Sequence, residues 1–137
     1  MFDLHPRLAQ DTFLVGQYAL CDVLLMNDSR YPWLILVPRR DAMREIHQLS
    51  ESDQQLLIQE SSFTASQMLA LFSADKMNVA ALGNQVEQLH VHHIARFKTD
   101  ACWPEPVWGR GTAEPYSDIA AKAMLSQLRR VLDDRLT

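Results

Sequence analysis

The chain has 137 residues and a mass of 15.7 kDa, with 47% hydrophobic and 22% charged residues, four glycines and six prolines. That length supports one domain with a sizeable core, and that composition excludes a disordered, fibrous or low-complexity chain. Seventeen acidic residues against thirteen Lys and Arg give a net charge of −4 and a pI near 5.6. This balance argues against a protein that wraps nucleic acid polymers through a basic field, but leaves room for a small phosphorylated ligand.

Residues 1–7 lack the basic stretch and apolar run of an export signal. The apolar stretches at 12–26 and 33–37 are interrupted or far too short for the roughly 20 residues of a membrane span. A cytoplasmic protein with no membrane contact is expected. Cys21 and Cys102 stand apart without CxxC spacing, and read as two reduced thiols rather than zinc ligands or a redox dithiol.

Residues 12–15 and 19–26 are rich in β-branched, aromatic and aliphatic side chains around Gly16-Gln17, which predicts two short strands joined by a turn. A third strand is predicted at 33–37, an apolar run closed by Pro38, whose nitrogen cannot donate to a ladder. Ser50-Glu51-Ser52-Asp53 carries a helix start signal, the Ser hydroxyl and the acid three residues later satisfying free amides. Leu57, Ser61, Thr64, Met68, Leu71 and Phe72 then recur at three- and four-residue spacings, predicting a long helix that ends near Ser73 with one face on a sheet. Residues 77–82 and 89–97 predict two more strands around Gly83-Asn84-Gln85. The segment from Trp103 to Trp108, with Pro104 and Pro106 inside it, predicts a rigid loop whose tryptophans suit a lid or simple packing equally well. Residues 117–136 predict a C-terminal helix, with Ile119, Ala120, Ala123, Met124, Leu128, Val131 and Leu132 at helical spacing. No repeat or linker divides the chain, so residues 1–137 are read as a single domain.

Three of the five histidines fall within four residues, at His90, His92 and His93. On a strand, side chains alternate, so Gln88, His90 and His92 share one face while Leu89, Val91 and His93 share the other. An ordinary imidazole, with a pKa of about 6.5, is largely neutral near pH 7 and can attack phosphorus. Two histidines at this spacing can also reach one metal ion, but no further ligand follows at a supporting distance, and no metal site is assigned. His5 and His47 carry no motif. Arg39, Arg40, Asp41 and Arg44 read as a mixed charged surface, and Arg129, Arg130, Asp133, Asp134 and Arg135 as a solvated face.

The stretch Gly83-Asn84-Gln85-Val86-Glu87-Gln88-Leu89-His90-Val91-His92-His93-Ile94-Ala95-Arg96 resembles the signature of the histidine triad (HIT) superfamily, H-φ-H-φ-H-φ-φ after a Gly-containing turn. Upstream, Asn27-Asp28-Ser29-Arg30-Tyr31-Pro32-Trp33-Leu34-Ile35-Leu36-Val37-Pro38-Arg39 is similar to the other landmark of that family, a polar ribose-contacting residue before an apolar strand ending in Pro and a basic residue. The resemblance covers about residues 12 to 98. It implies an α+β fold with a five-stranded antiparallel sheet, a long central helix and a C-terminal helix, paired as a homodimer. The implied activity is hydrolysis or transfer of nucleotides at the α-phosphate, on dinucleoside polyphosphates or nucleoside phosphoramidates.

By position, the resemblance implies that His90 is the nucleophile forming a nucleotidyl-histidine and that His92 contacts the scissile phosphate region. It also implies that Gly83, Asn84 and Gln85 serve the phosphates, that Asn27 or Asp28 contacts ribose, and that Asn78 lies beside the phosphate. No protein-held cofactor is implied, any magnesium arriving with the substrate. Two departures stand out. Gln88 replaces the first histidine of the triad and is expected to orient rather than titrate. Pro32-Trp33 replaces the Gly-His common before the apolar strand, which reshapes the base or leaving-group side. The rival readings are a nucleotide-binding module that kept the pocket and lost turnover, and a metal-binding protein using His90, His92 and His93.

Overall fold

A computed structural model describes residues 1–137. Five strands, β1 (Thr12–Gln17), β2 (Cys21–Met26), β3 (Trp33–Pro38), β4 (Lys76–Ala80) and β5 (Val91–Arg96), form one sheet in the order β1-β2-β3-β5-β4. Every neighbouring pair is antiparallel. Three helices complete the α+β fold: α1 (Pro6–Asp11), α2 (Glu51–Phe72) and α3 (Asp118–Val131).

The central strands β3 and β5 are buried along their whole length, so side-chain alternation divides their residues between two cores. On one face Leu34, Leu36, Val91 and Ala95 pack with Leu57 and Met68 of α2 and with Leu128 of α3 and Leu132 beyond it. On the other face Trp33, Ile35, Val37 and Ile94 pack with Leu8 of α1 and Val107 of the long loop after β5. Each fully buried aliphatic or aromatic side chain contributes about 1.5–3 kcal/mol relative to exposure. The strand carrying the histidines is thus clamped from both sides.

The helix α2 begins where its sequence says it should. The Ser50 side chain accepts from the Asp53 amide at 3.1 Å, with Glu51 and Asp53 at the positive end of the helix. The helix stops at Ser73, which adopts the left-handed conformation at φ 50 and bonds back to the carbonyls of Leu69 and Ala70. Its buried side includes a residue that apolar periodicity passes over. Glu60 is fully buried and accepts from the amides of Leu20 at 2.8 Å and Cys21 at 3.0 Å, pinning the turn between β1 and β2.

Four local expectations need correction. Residues 6–11 form a helix that the periodicity did not indicate, opened by Pro6 in its first turn and by His5 Nδ1 accepting from the Arg7 amide at 3.1 Å. The strand expected over 89–97 starts at Val91, so Gln88 and His90 precede it, and the strand expected over 77–82 stops at Ala80. The last helix ends at Val131, and Ile119 is 84% exposed, because Ala121 and Leu128 carry its buried stripe. Arg129 is exposed, as expected, and is also tied to the scaffold. It donates to the carbonyls of Leu14 at 2.9 Å and Val15 at 2.8 Å, where β1 bulges, while the Thr137 amide donates to Gln17 at 2.9 Å.

Candidate active site

On the α1 side of the sheet a cavity of about 340 Å³ lies over β3 and β5, with His90 and His92 in its lining together with Asn84, Gln85, Arg7 and Trp108. The register pairs His92 with Ile35, and both face this cavity. His93 takes the opposite face, as alternation requires, and points at α2. Its Nδ1 lies 3.1 Å from the Val91 carbonyl and its Nε2 lies 2.7 Å from the Ser61 hydroxyl.

The hydrogen bonds place the protons on both pocket histidines. His90 Nδ1 is 2.6 Å from the Gln88 carbonyl. A carbonyl can only accept, so Nδ1 carries a proton, and in the neutral ring the lone pair is on Nε2. Trp33 Nε1 donates to His92 Nδ1 at 3.0 Å. The rings of His90 and His92 sit edge to face with centroids 4.9 Å apart, and the Trp108 ring approaches His92 at 5.1 Å. Burial first, then the neighbouring His90 and His93, holds the His92 pKa down to about 3, and burial holds His93 down to about 4. The site therefore offers an unprotonated ring nitrogen beside a neutral imidazole, next to a polar turn.

Of the residues expected at phosphate, Gly83, Asn84 and Gln85 line the same cavity as the two histidines, with Gly83 at φ +77 turning the chain into it. Gln88 does not line it. Its Oε1 accepts from the His5 amide at 2.8 Å and its Nε2 donates to the Asp3 carbonyl at 2.9 Å, so it fastens the segment leading into α1. Asn27, Asp28 and Asn78 also lie outside the lining, because their polar atoms serve the scaffold. Asn27 Oδ1 accepts from the Tyr116 amide at 2.8 Å. Asp28 is buried against Arg30, at 2.8 Å, and also accepts from the Glu114 amide. Asn78 Oδ1 accepts from Arg96, whose fully buried guanidinium is otherwise held by Asp100.

The wall contributed by α1, with Arg7, Leu8 and Asp11, leaves no periodic pattern in the sequence. The His5-Pro6 pair was its one local cue, since Pro favours the first helical position. Trp108 faces the histidines, whereas Trp103 lies under Arg96 at 5.7 Å. The arginines after β3 are committed elsewhere: Arg39 to Asp22 and the carbonyls of Tyr18 and Ala19, Arg40 to Asp53, and Arg44 to Glu87. The three clustered histidines do not converge on one point, and no group of three or more His, Cys, Asp or Glu is arranged to hold a metal ion.

A five-stranded antiparallel sheet with one histidine at the entry to an inner strand and a second on that strand, beside a glycine turn, defines a class of small α+β proteins. The family model of the HIT domain matches residues 7–99, and the chain belongs to the histidine triad family. It is similar to a histidine triad protein from Marinobacter aquaeolei VT8, at 50% identity over 98% of each chain with a TM-score of 0.96. A histidine triad (HIT) protein from Sinorhizobium meliloti 1021 is 42% identical, over 96% of this chain and 98% of that one, with a TM-score of 0.94. A histidine triad protein from Bradyrhizobium japonicum is 44% identical, over 94% and 96%, with a TM-score of 0.92. None of the curated proteins compared matches the chain. Membership supports a nucleotide-binding or nucleotide-hydrolysing type of function. No helix is long and apolar enough to cross a membrane.

Proposed function

We propose that the protein is a nucleotide hydrolase or nucleotidyl transferase that cleaves dinucleoside polyphosphates or nucleoside phosphoramidates at the α-phosphate. The observation that carries this reading is His90, whose Nδ1 is tied to a backbone carbonyl so that Nε2 faces the cavity as a nucleophile. In the first step an N–P bond forms at Nε2 as the bond from phosphorus to the leaving group breaks, and that group departs with the bonding electrons and takes a proton from solvent. In the second step water attacks phosphorus, the N–P bond breaks, the mononucleotide leaves and the water proton passes to solvent. Asn84 and Gln85, exposed at the mouth, supply donors for the phosphoryl oxygens, where charge builds up in the transition state. The nucleophile itself needs no metal, and magnesium enters with a polyphosphate substrate. We place the protein in the cytoplasm as a homodimer, pairing through the open edge of β4 rather than through α3, whose apolar face is spent on the sheet.

A second reading, a binding module with little turnover, is favoured by Gln88, which has no titrating group and whose amide is already engaged by the N-terminal segment. Intact-mass spectrometry after rapid quench with diadenosine polyphosphate or an adenosine phosphoramidate separates the two. A nucleotidyl adduct or product in the parent chain, lost in His90→Ala, supports the enzyme. Adduct loss in His92→Ala alone overturns the assignment of His90. Binding with neither adduct nor product in any variant supports the module.

A further inference from the structure

The indole of Trp33 is 5% exposed, and its one polar atom is aimed at His92. An indole N–H can donate and never accept. The bond of 3.0 Å therefore requires a lone pair on His92 Nδ1, which leaves the ring proton on Nε2. An imidazolium at this position would set Nδ1–H against the indole N–H, donor against donor. Trp108 covers the same ring from the loop after β5, and its centroid lies 6.0 Å from that of Trp33, so the two indoles enclose His92 between β3 and that loop. The titratable groups around His92 are His90 and His93 on its own segment and, across the cavity, Arg7 and Asp11 of α1. No carboxylate or cation makes a hydrogen bond to the ring.

We propose that Trp33 is a positioning residue that keeps His92 neutral with its proton on Nε2, so that His92 meets the substrate as a hydrogen-bond donor and not as a base or a cation. An indole N–H can donate but cannot accept or relay a proton, so Trp33 acts on His92 only as a fixed donor. The catalytic consequence rests on the nucleotidyl-transfer reading above, but the proton placement does not. The donor would serve an oxygen of the α-phosphate, complementing the lone pair that His90 directs at phosphorus. Charge is then stabilised at a phosphoryl oxygen without any change in the protonation state of His92.

The test is nitrogen-15 NMR of the histidine and tryptophan rings of the full chain, paired with steady-state kinetics on an adenosine phosphoramidate. In the parent protein the expected result is a scalar coupling across Trp33 Nε1–H···Nδ1 of His92, with His92 in the Nε2–H form and unchanged from about pH 5 to 8. Trp33→Phe keeps the ring and removes the donor. It should let the other tautomer of His92 appear and lower kcat about tenfold while leaving KM nearly unchanged. Because the parent measurement needs no variant, a misfolded Trp33→Phe does not leave the proposal untested. A parent His92 in the Nδ1–H form, absence of the coupling, or a Trp33→Phe enzyme with unaltered kcat overturns it. A parent that shows the coupling but processes no nucleotide supports the proton placement and overturns the reaction assigned above.

Discussion

His93 is the clustered histidine that the cavity does not see, and its role follows from its two bonds. Val91 takes the Nδ1 proton, so Ser61 must donate to Nε2, in a setting with no solvent contact. Ser61→Ala leaves that acceptor unpaired and should lower stability by about 1–3 kcal/mol, read as a shift in the urea midpoint. An unchanged midpoint would show that Nε2 finds another partner. Arg96 is the sharper case, 1% exposed and held by Asp100 at 2.7 and 3.1 Å, by Asn78, and against the rings of Tyr31 and Trp103. Burial alone would raise the Asp100 carboxyl, but bonds from Arg96 and from the amides of Phe97 and Cys102 outweigh it and hold the pKa at about 2. Asp100→Ala strands a buried cation, and a loss of about 3–5 kcal/mol is expected in the same measurement. A loss below that of Ser61→Ala would show that Asn78 and the rings suffice.

Among the elements, the short helix α1 owes its place to Gln88, which exchanges two hydrogen bonds with the backbone at Asp3 and His5. Gln88→Ala should speed hydrogen exchange at the His5 amide roughly fivefold. It should also raise KM more than it lowers kcat, since α1 carries part of the cavity wall and none of the reacting atoms. Equal losses in both constants would instead put Gln88 in the chemistry. The strands β2 and β3 and the helix α2 were legible because burial over many residues leaves a pattern, and α2 adds a cap to it. Six residues of α1 are too few for a periodic signal. Helical spacing continues past the end of α3 at Val131, because Leu132 and Leu136 keep the period while packing on the core beyond the helix. His90 and His92 were legible as a motif, but the Trp33 bond depends on register. Trp33 stands opposite Ile94, and His92 is its diagonal neighbour, within the reach of an aromatic side chain. Asn27, Asp28 and Asn78 lie apart from the cavity, and a polar residue beside a strand looks the same in sequence whether it binds a ligand or satisfies the scaffold.

For the molecule as a whole, two buried neutral histidines couple folding to pH. His92 and His93 have pKa values near 3 and 4 when folded, against about 6.5 for an exposed ring. The unfolded chain therefore binds more protons between those values. Their contribution is fully present above pH 6.5 and is lost as the pH falls towards 4, at about 1.4 kcal/mol per pH unit for each histidine. Urea unfolding at stepped pH should show this slope, and His93→Gln should remove about half of it. A flat profile in the parent protein would mean that neither ring is held neutral by folding, and a half slope that only one is.

The C-terminal hook on β1 limits how far the sheet can grow. Arg129 and Thr137 occupy carbonyls of Leu14, Val15 and Gln17 along one margin, while β4 forms the other and pairs only with β5. A sheet with one margin closed has a valence of one. It can accept a single added strand, and if that strand is β4 of a second copy, the union consumes both open margins at once. Assembly by this route terminates at two chains and cannot propagate into a fibre, whatever the concentration.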